Sequence, residues 1–196
     1  MFTPTRLIQL LLVAATLVAV ASSATQASAT TLRRMGLEEL TKTNEAVVMG
    51  RVLKIDSHWN ADSTFILTDV TFAPSAVLKG QPTKEPLTFT VMGGSIGELT
   101  TLIIAGVELS PGADVLLFLS HSDLPGADGV LTVRDHCQGA FDLVLGADGL
   151  RAISQARVHP LLSDDRGVSE PPGGSEGLPM NFMLSEVNRF VANNRK

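Results

Sequence analysis

Apolar and polar residues alternate in steps of two through the central part of this chain. Over residues 64–72, Ile66, Thr68, Val70 and Phe72 fall on one face, and Phe65, Leu67, Asp69 and Thr71 on the other. That is the period of a strand whose two sides meet different surroundings. Residues 46–55 are equally rich in Val, Leu and Ile, the composition a pleated, half-buried surface favours. Between the arms lies Asp56-Ser57-His58-Trp59-Asn60-Ala61-Asp62. The pattern predicts two long antiparallel strands, 46–55 and 64–80, joined by a solvated loop over 56–62. Pro74 interrupts the second arm and cannot donate to a ladder, which predicts an edge or a bulge there.

Further short runs follow. Leu87-Thr88-Phe89-Thr90-Val91 alternates cleanly, and 100–104 is β-branched and extended. Val115-Leu116-Leu117-Phe118-Leu119 is apolar throughout, which predicts a central strand buried on both faces. Residues 130–134 and 140–145 read as a hairpin pair, and 150–153 as a last short strand. Turn signals separate them at Lys79-Gly80-Gln81-Pro82, Ser110-Pro111-Gly112, 124–129 and Ala147-Asp148-Gly149. Leu37 and Leu40 share one face of a short helix, with Asn44 in its left-handed terminal position. Near the end, Met183, Val187, Phe190 and Val191 form an apolar stripe at helical spacing, with Asn181 as N-cap. The stripe is expected to bury against the rest of the chain. Many short strands with few helices indicate a β-sandwich or barrel.

Composition adds a destination. Arg6, the apolar run 7–20 and Ala27-Ser28-Ala29 read as a signal peptide cleaved to leave Thr30 first. The apolar run is shorter than the roughly 20 residues of a membrane span. The expected organisation is signal peptide 1–29, β-barrel domain 30–160, flexible linker 161–179 and C-terminal helix 180–196. The protein is expected to be secreted or periplasmic, with no stable membrane anchor after cleavage. Removing 1–29 takes away Arg6 and no acid, leaving 14 basic against 20 acidic residues, net −6. That balance argues against a nucleic-acid partner. Cys137 is the single cysteine, so apolar burial rather than a disulfide must hold the exported fold.

An ordered set of landmarks resembles a family of uncharacterised exported bacterial proteins. They are Leu37 and Leu40; Ala46-Val47-Val48-Met49-Gly50-Arg51-Val52; Val77-Leu78-Lys79-Gly80; Gly93-Gly94; Pro111-Gly112 with Phe118-Leu119; and Gln138-Gly139. More distantly, Val48-x-Gly50-x-Val52 and the later Leu78-Lys79-Gly80 are similar to the netrin-like module of tissue inhibitors of metalloproteinases. That resemblance implies an OB-like antiparallel β-barrel with a short N-terminal helix and a C-terminal helix. It does not carry the inhibitors' mechanism, which places an N-terminal cysteine on the target's zinc.

Gly93-Gly94-Ser95-Ile96-Gly97 matches the G-x-S-x-G turn of serine hydrolases. A nucleophile elbow needs strand, turn and helix, and the β-branched residues after Gly97 point to extended chain instead. A glycine-rich bulge is therefore expected, with no catalytic residue. The four histidines, His58, His121, His136 and His159, lack metal-ligand spacing, and no cofactor is implied. Cys137 is expected to be a buried thiol facing away from His136 on a strand. The function expected is a non-enzymatic binding module for an extracytoplasmic protein, with a protease inhibitor of netrin type and a small serine hydrolase using Ser95 as alternatives. Its binding surface is expected on two loops, through Asp56, His58, Trp59, Asp62, Gly93, Gly94 and Ser95, because loops on rigid scaffolds often carry function.

Overall fold

Leu37–Thr43 forms helix α1. Two 14-residue strands follow, β1 (Ala46–Trp59) and β2 (Ile66–Lys79), then β3 (Leu87–Met92). A small hairpin comes next, β4 (Gly94–Ile96) with β5 (Leu99–Thr101). After it run β6 (Asp114–Leu124), β7 (Ala127–Val133), β8 (Ala140–Gly146) and β9 (Gly149–Ser154). A two-residue strand β10 (Leu178–Pro179) leads into helix α2 (Met180–Asn193). This computed structural model describes residues 32–81, 86–159, 161–163, 167, 170 and 172–194. The expected signal peptide 1–29 lies outside the described residues, as does much of the expected linker.

The main sheet runs β10-β9-β8-β6-β1-β2-β3, with β7 also on β6. Every ladder is antiparallel. No ladder joins β3 to β7 among the described residues, so the ladders establish an antiparallel sheet rather than a closed cylinder. β6 is its hub. One edge carries β1, and the other carries β8 at Val115–Leu117 and β7 from Leu119 onward. The expected hairpin of 130–134 with 140–145 is therefore replaced by two strands lying end to end along β6. The cause is the 3-10 turn His136–Gly139, which swings the chain past the end of β7.

The alternation in β6 sorts its side chains between two cores. Val115, Leu117 and Leu119 join Val48, Val52, Val70, Phe72, Phe89 and Val133 on one face. Leu116 and Phe118 join Val47, Phe141, Ala152 and Leu40 on the other, with Met183, Val187 and Val191 of α2 closing over them. The stripe on α2 thus buries against its own sheet. Pro179, not Asn181, takes the N-cap position; Asn181 lies one residue inside α2, and its Oδ1 accepts from Phe182 N at 2.9 Å. The ends of the expected linker are tied down: Leu162 N donates to Leu32 O at 3.0 Å, and Leu178–Pro179 pair with Ala152 and Arg151.

Pro74 sits at a register shift, with Met49 opposite Ala76 and Gly50 opposite Pro74. Among the described residues β3 pairs only with Leu67–Phe72, so no described strand flanks Pro74 on that side. The bulge expected at this proline is present.

The Leu78-Lys79-Gly80 landmark has a structural duty. A helix leaves its last carbonyls unpaired, and Lys79 Nζ reaches across to donate to Thr41 O at 2.6 Å and Asn44 O at 2.5 Å. Asn44 contributes through its side chain, Nδ2 donating to Leu40 O at 2.9 Å, while its backbone is extended rather than left-handed. Burial lowers the Lys79 pKa, with Glu45 opposing. Lys79→Met is expected to cost about 2 kcal/mol, the scale of charge-assisted bonds whose acceptors are left unpaired. Chemical denaturation of the two proteins measures it.

Candidate binding groove

The predicted loop over 56–62 is shorter than the polarity of those residues implies. β1 runs on to Trp59, and the loop is 60–65. Polar side chains pair along and across the two strands here instead of facing a turn. Lys54 Nζ meets Asp56 Oδ2 at 2.8 Å, and the Ser57 and Thr68 hydroxyls meet at 2.8 Å. His58 Nδ1 lies 3.0 Å from Trp59 O, and its Nε2 lies 3.4 Å from Asp69 Oδ2. Asn60 then organises the turn. Its Oδ1 accepts from Thr64 N and Phe65 N, and its Nδ2 donates to Pro125 O at 3.1 Å. The β1–β2 and β6–β7 turns are tied together by that one amide.

Around this end of the sheet lies an open groove of about 520 Å³. Ile55 and Ser57 come from β1, Thr68 and Val70 from β2, and Val91 and Met92 from β3. Gly93, Gly94 and Ser95 form one part of the rim, and Val107, Glu108 and Leu109 another. The floor is apolar, since Val70 and Val91 belong to the core. The rim is polar. Thr68 Oγ1 donates to Gly93 O at 2.7 Å. Its single proton is then used, so in the Ser57–Thr68 bond Ser57 is the donor. The Ser57 oxygen therefore offers lone pairs to whatever enters.

Gly94 is required where it stands. Its φ is +132°, and a Cβ there would lie 2.2 Å from Thr68 Oγ1 and 2.5 Å from Ser57 Oγ. The backbone passes directly over the hydroxyl pair. Ser95 Oγ pairs with Thr100 Oγ1 at 2.8 Å across the small hairpin. Strand β5 follows Gly97, so the strand–turn–helix setting of a nucleophile elbow is not built here.

Of the seven residues expected to bind, Gly93, Gly94 and Ser95 line the groove. Asp56 and His58 alternate with Ser57 along β1 and so face the opposite side of the strand. Trp59 ends the strand, 40% exposed, and Asp62 is exposed on the 60–65 loop. Ser57, Thr68 and Glu108 went unpredicted. Thr68 had a signal: it is the polar member of the face it shares with Ile66, Val70 and Phe72.

His58 holds an acceptor near each ring nitrogen, a geometry satisfied by two N–H groups and hence by the imidazolium. The bond to Trp59 O raises its pKa most, Asp69 and Asp56 add to the rise, and desolvation opposes it. A raised folded pKa means the stabilising contribution is complete below the unfolded value. It is lost as pH rises through the folded pKa. NMR titration is expected to place His58 above the ordinary value of about 6.5, and Asp69→Asn is expected to bring it down.

Elsewhere the chemistry is quiet. Cys137 is fully buried in the 3-10 turn, not on a strand, with N donating to Ala105 O at 2.8 Å. Burial pushes its thiol up to about 11, so it stays protonated at neutral pH. His136 precedes it in the same turn with φ of +57°. Among the described residues no group of three or more His, Cys, Asp or Glu could hold a metal ion. No helix among them is long and apolar enough to cross a membrane. No protein-family model and no curated protein matches this chain.

Proposed function

We propose that the protein is an exported, non-enzymatic binding module built on an OB-like or netrin-like β-barrel, with the groove at the end of β1, β2 and β3 as its binding surface. The observation that carries this is the groove's make-up: an apolar floor continuous with the core, under a rim of hydroxyls, backbone and one carboxylate. Pockets of that composition are common binding sites. Support for the barrel comes from strand order. β3-β2-β1-β6-β7 is one unbroken path, its two end strands approach each other, and Phe89 and Val133 from those ends share one apolar cluster. The partner is an extracytoplasmic protein.

Two measurements test the reading. N-terminal sequencing of exported protein is expected to return a start near Thr30; recovery of Met1 would count against export with cleavage. An active-site serine probe is expected to leave Ser95 unlabelled, and stoichiometric labelling would replace the binding module with a hydrolase.

A further inference from the structure

Among the described residues, the long strand β1 is only half covered on its β6 side. The β1–β6 ladder ends at Arg51 opposite Asp114. Val52 is the last residue held there, its N donating to Ala113 O at 2.9 Å and its O accepting from Gly112 N at 2.8 Å. Beyond Val52 the two segments part, and Val107, Glu108 and Leu109 become the far wall of the groove.

Register shows which backbone groups are left at that edge. Ile66 O accepts from Gly93 N on the β3 side, and Phe65 O accepts from Asn60 N on the β1 side. Backbone direction alternates along a strand, so Leu67, Asp69 and Thr71 turn toward β1. Their partners His58, Asp56 and Lys54 turn toward β2. Ile55 and Ser57 therefore direct their N–H and C=O groups, and Trp59 its N–H, away from β2 over that edge, while the Trp59 C=O accepts from His58 Nδ1. An uncovered strand edge is a template for another strand.

We propose that an extended segment of another polypeptide adds as a strand to β1 along Ile55, Ser57 and Trp59, in line with β6 and within the groove. This rests on the binding-module reading and names the partner's chemistry. Alternate side chains of the added strand point into the groove, where Val70 and Val91 favour small apolar groups. Charge decides the rest. Glu108 is exposed, lines both this groove and the adjacent one that holds Arg157 and His159, and makes no ion pair among the described residues; Ser57 Oγ faces the groove as an acceptor. Both call for donors, so the segment carries a lysine or arginine that faces Glu108.

The test uses linear peptides of about a dozen residues selected from a random display library against the purified protein, then made synthetically. Binding is expected to slow amide hydrogen exchange at Ile55, Ser57 and Trp59. Ser57→Pro removes an edge N–H without touching the β1–β2 ladder and is expected to weaken binding about tenfold, while Ser57→Ala keeps that N–H, loses only the hydroxyl acceptor and is expected to weaken it about twofold. Glu108→Gln is expected to weaken binding of the basic peptides several-fold. Methylating alternate peptide nitrogens should abolish binding in one phase and spare it in the other, a readout independent of any protein variant. Selected peptides that protect other amides would overturn strand addition and leave the binding module standing. Failure to enrich any peptide would also overturn it, whereas Ser95 labelling would remove the parent reading itself.

Discussion

Phe118→Ala is expected to be among the most damaging substitutions in this protein, at about 3–5 kcal/mol. Phe118 is fully buried at the middle of β6, opposite Val47 on β1. Its ring centroid lies 5.9 Å from that of Phe141, in a tilted pair. The same cluster holds Leu116 beside it and Met183 and Val187 from α2. Truncation removes a large apolar surface from the layer where strands β1, β6 and β8 meet the helix. That layer cannot collapse inward, because the opposite face of β6 is filled by Leu117 and Leu119. The loss is expected to lower Tm by about 10 °C or more for a domain of this size. Leu102, 86% exposed, is the control: Leu102→Ala is expected to change stability by less than about 0.5 kcal/mol. Denaturant melts of both variants decide the matter, and equal losses would refute this account of the core.

Gly50→Ala is expected to be nearly as severe. A Cβ at Gly50 would lie 2.1 Å from Ala73 O and 2.9 Å from Pro74 Cα. Both obstacles are backbone, held by the bulge that Pro74 imposes on β2. Relief requires β1 and β2 to separate where β1 also pairs with β6, at Gly50 opposite Val115. Overpacking of this kind costs about 3 kcal/mol or more, since no flexible side chain can yield. Calorimetry of the variant is the measurement, and a Tm within a degree of the parent would show that the strands part easily. The Val-x-Gly-x-Val landmark is thereby explained by steric contact between strands.

Most of the landmarks read from the sequence have such architectural work. Lys79 closes the end of α1. Gln138 holds the chain before α1, its Oε1 accepting from Met35 N at 2.8 Å and its Nε2 donating to Arg33 O at 3.0 Å. This explains why strand identity, the two-faced burial of 115–119 and the docking stripe of α2 could be read directly: each is a local pattern repeated at the period of its element. The groove was less legible. It is assembled from four separate segments: Ser57, Thr68 and Gly94 touch through register and a close backbone approach, and Glu108 lines the same groove. Asp56 and His58 misled because polar residues usually mark a turn; here they extend β1, held by Lys54 and Asp69. The 130–145 hairpin misled because nothing local distinguishes two strands that pair with each other from two that share a third.

The position of α2 has a consequence for the order in which the molecule matures. Phe118, Phe141 and Val47 form a layer whose cover is supplied by α2. During synthesis that layer stays wet until α2 leaves the ribosome. A nascent chain arrested before Met180 would thus present a greasy flank to chaperones, even with most of its hairpins already zipped.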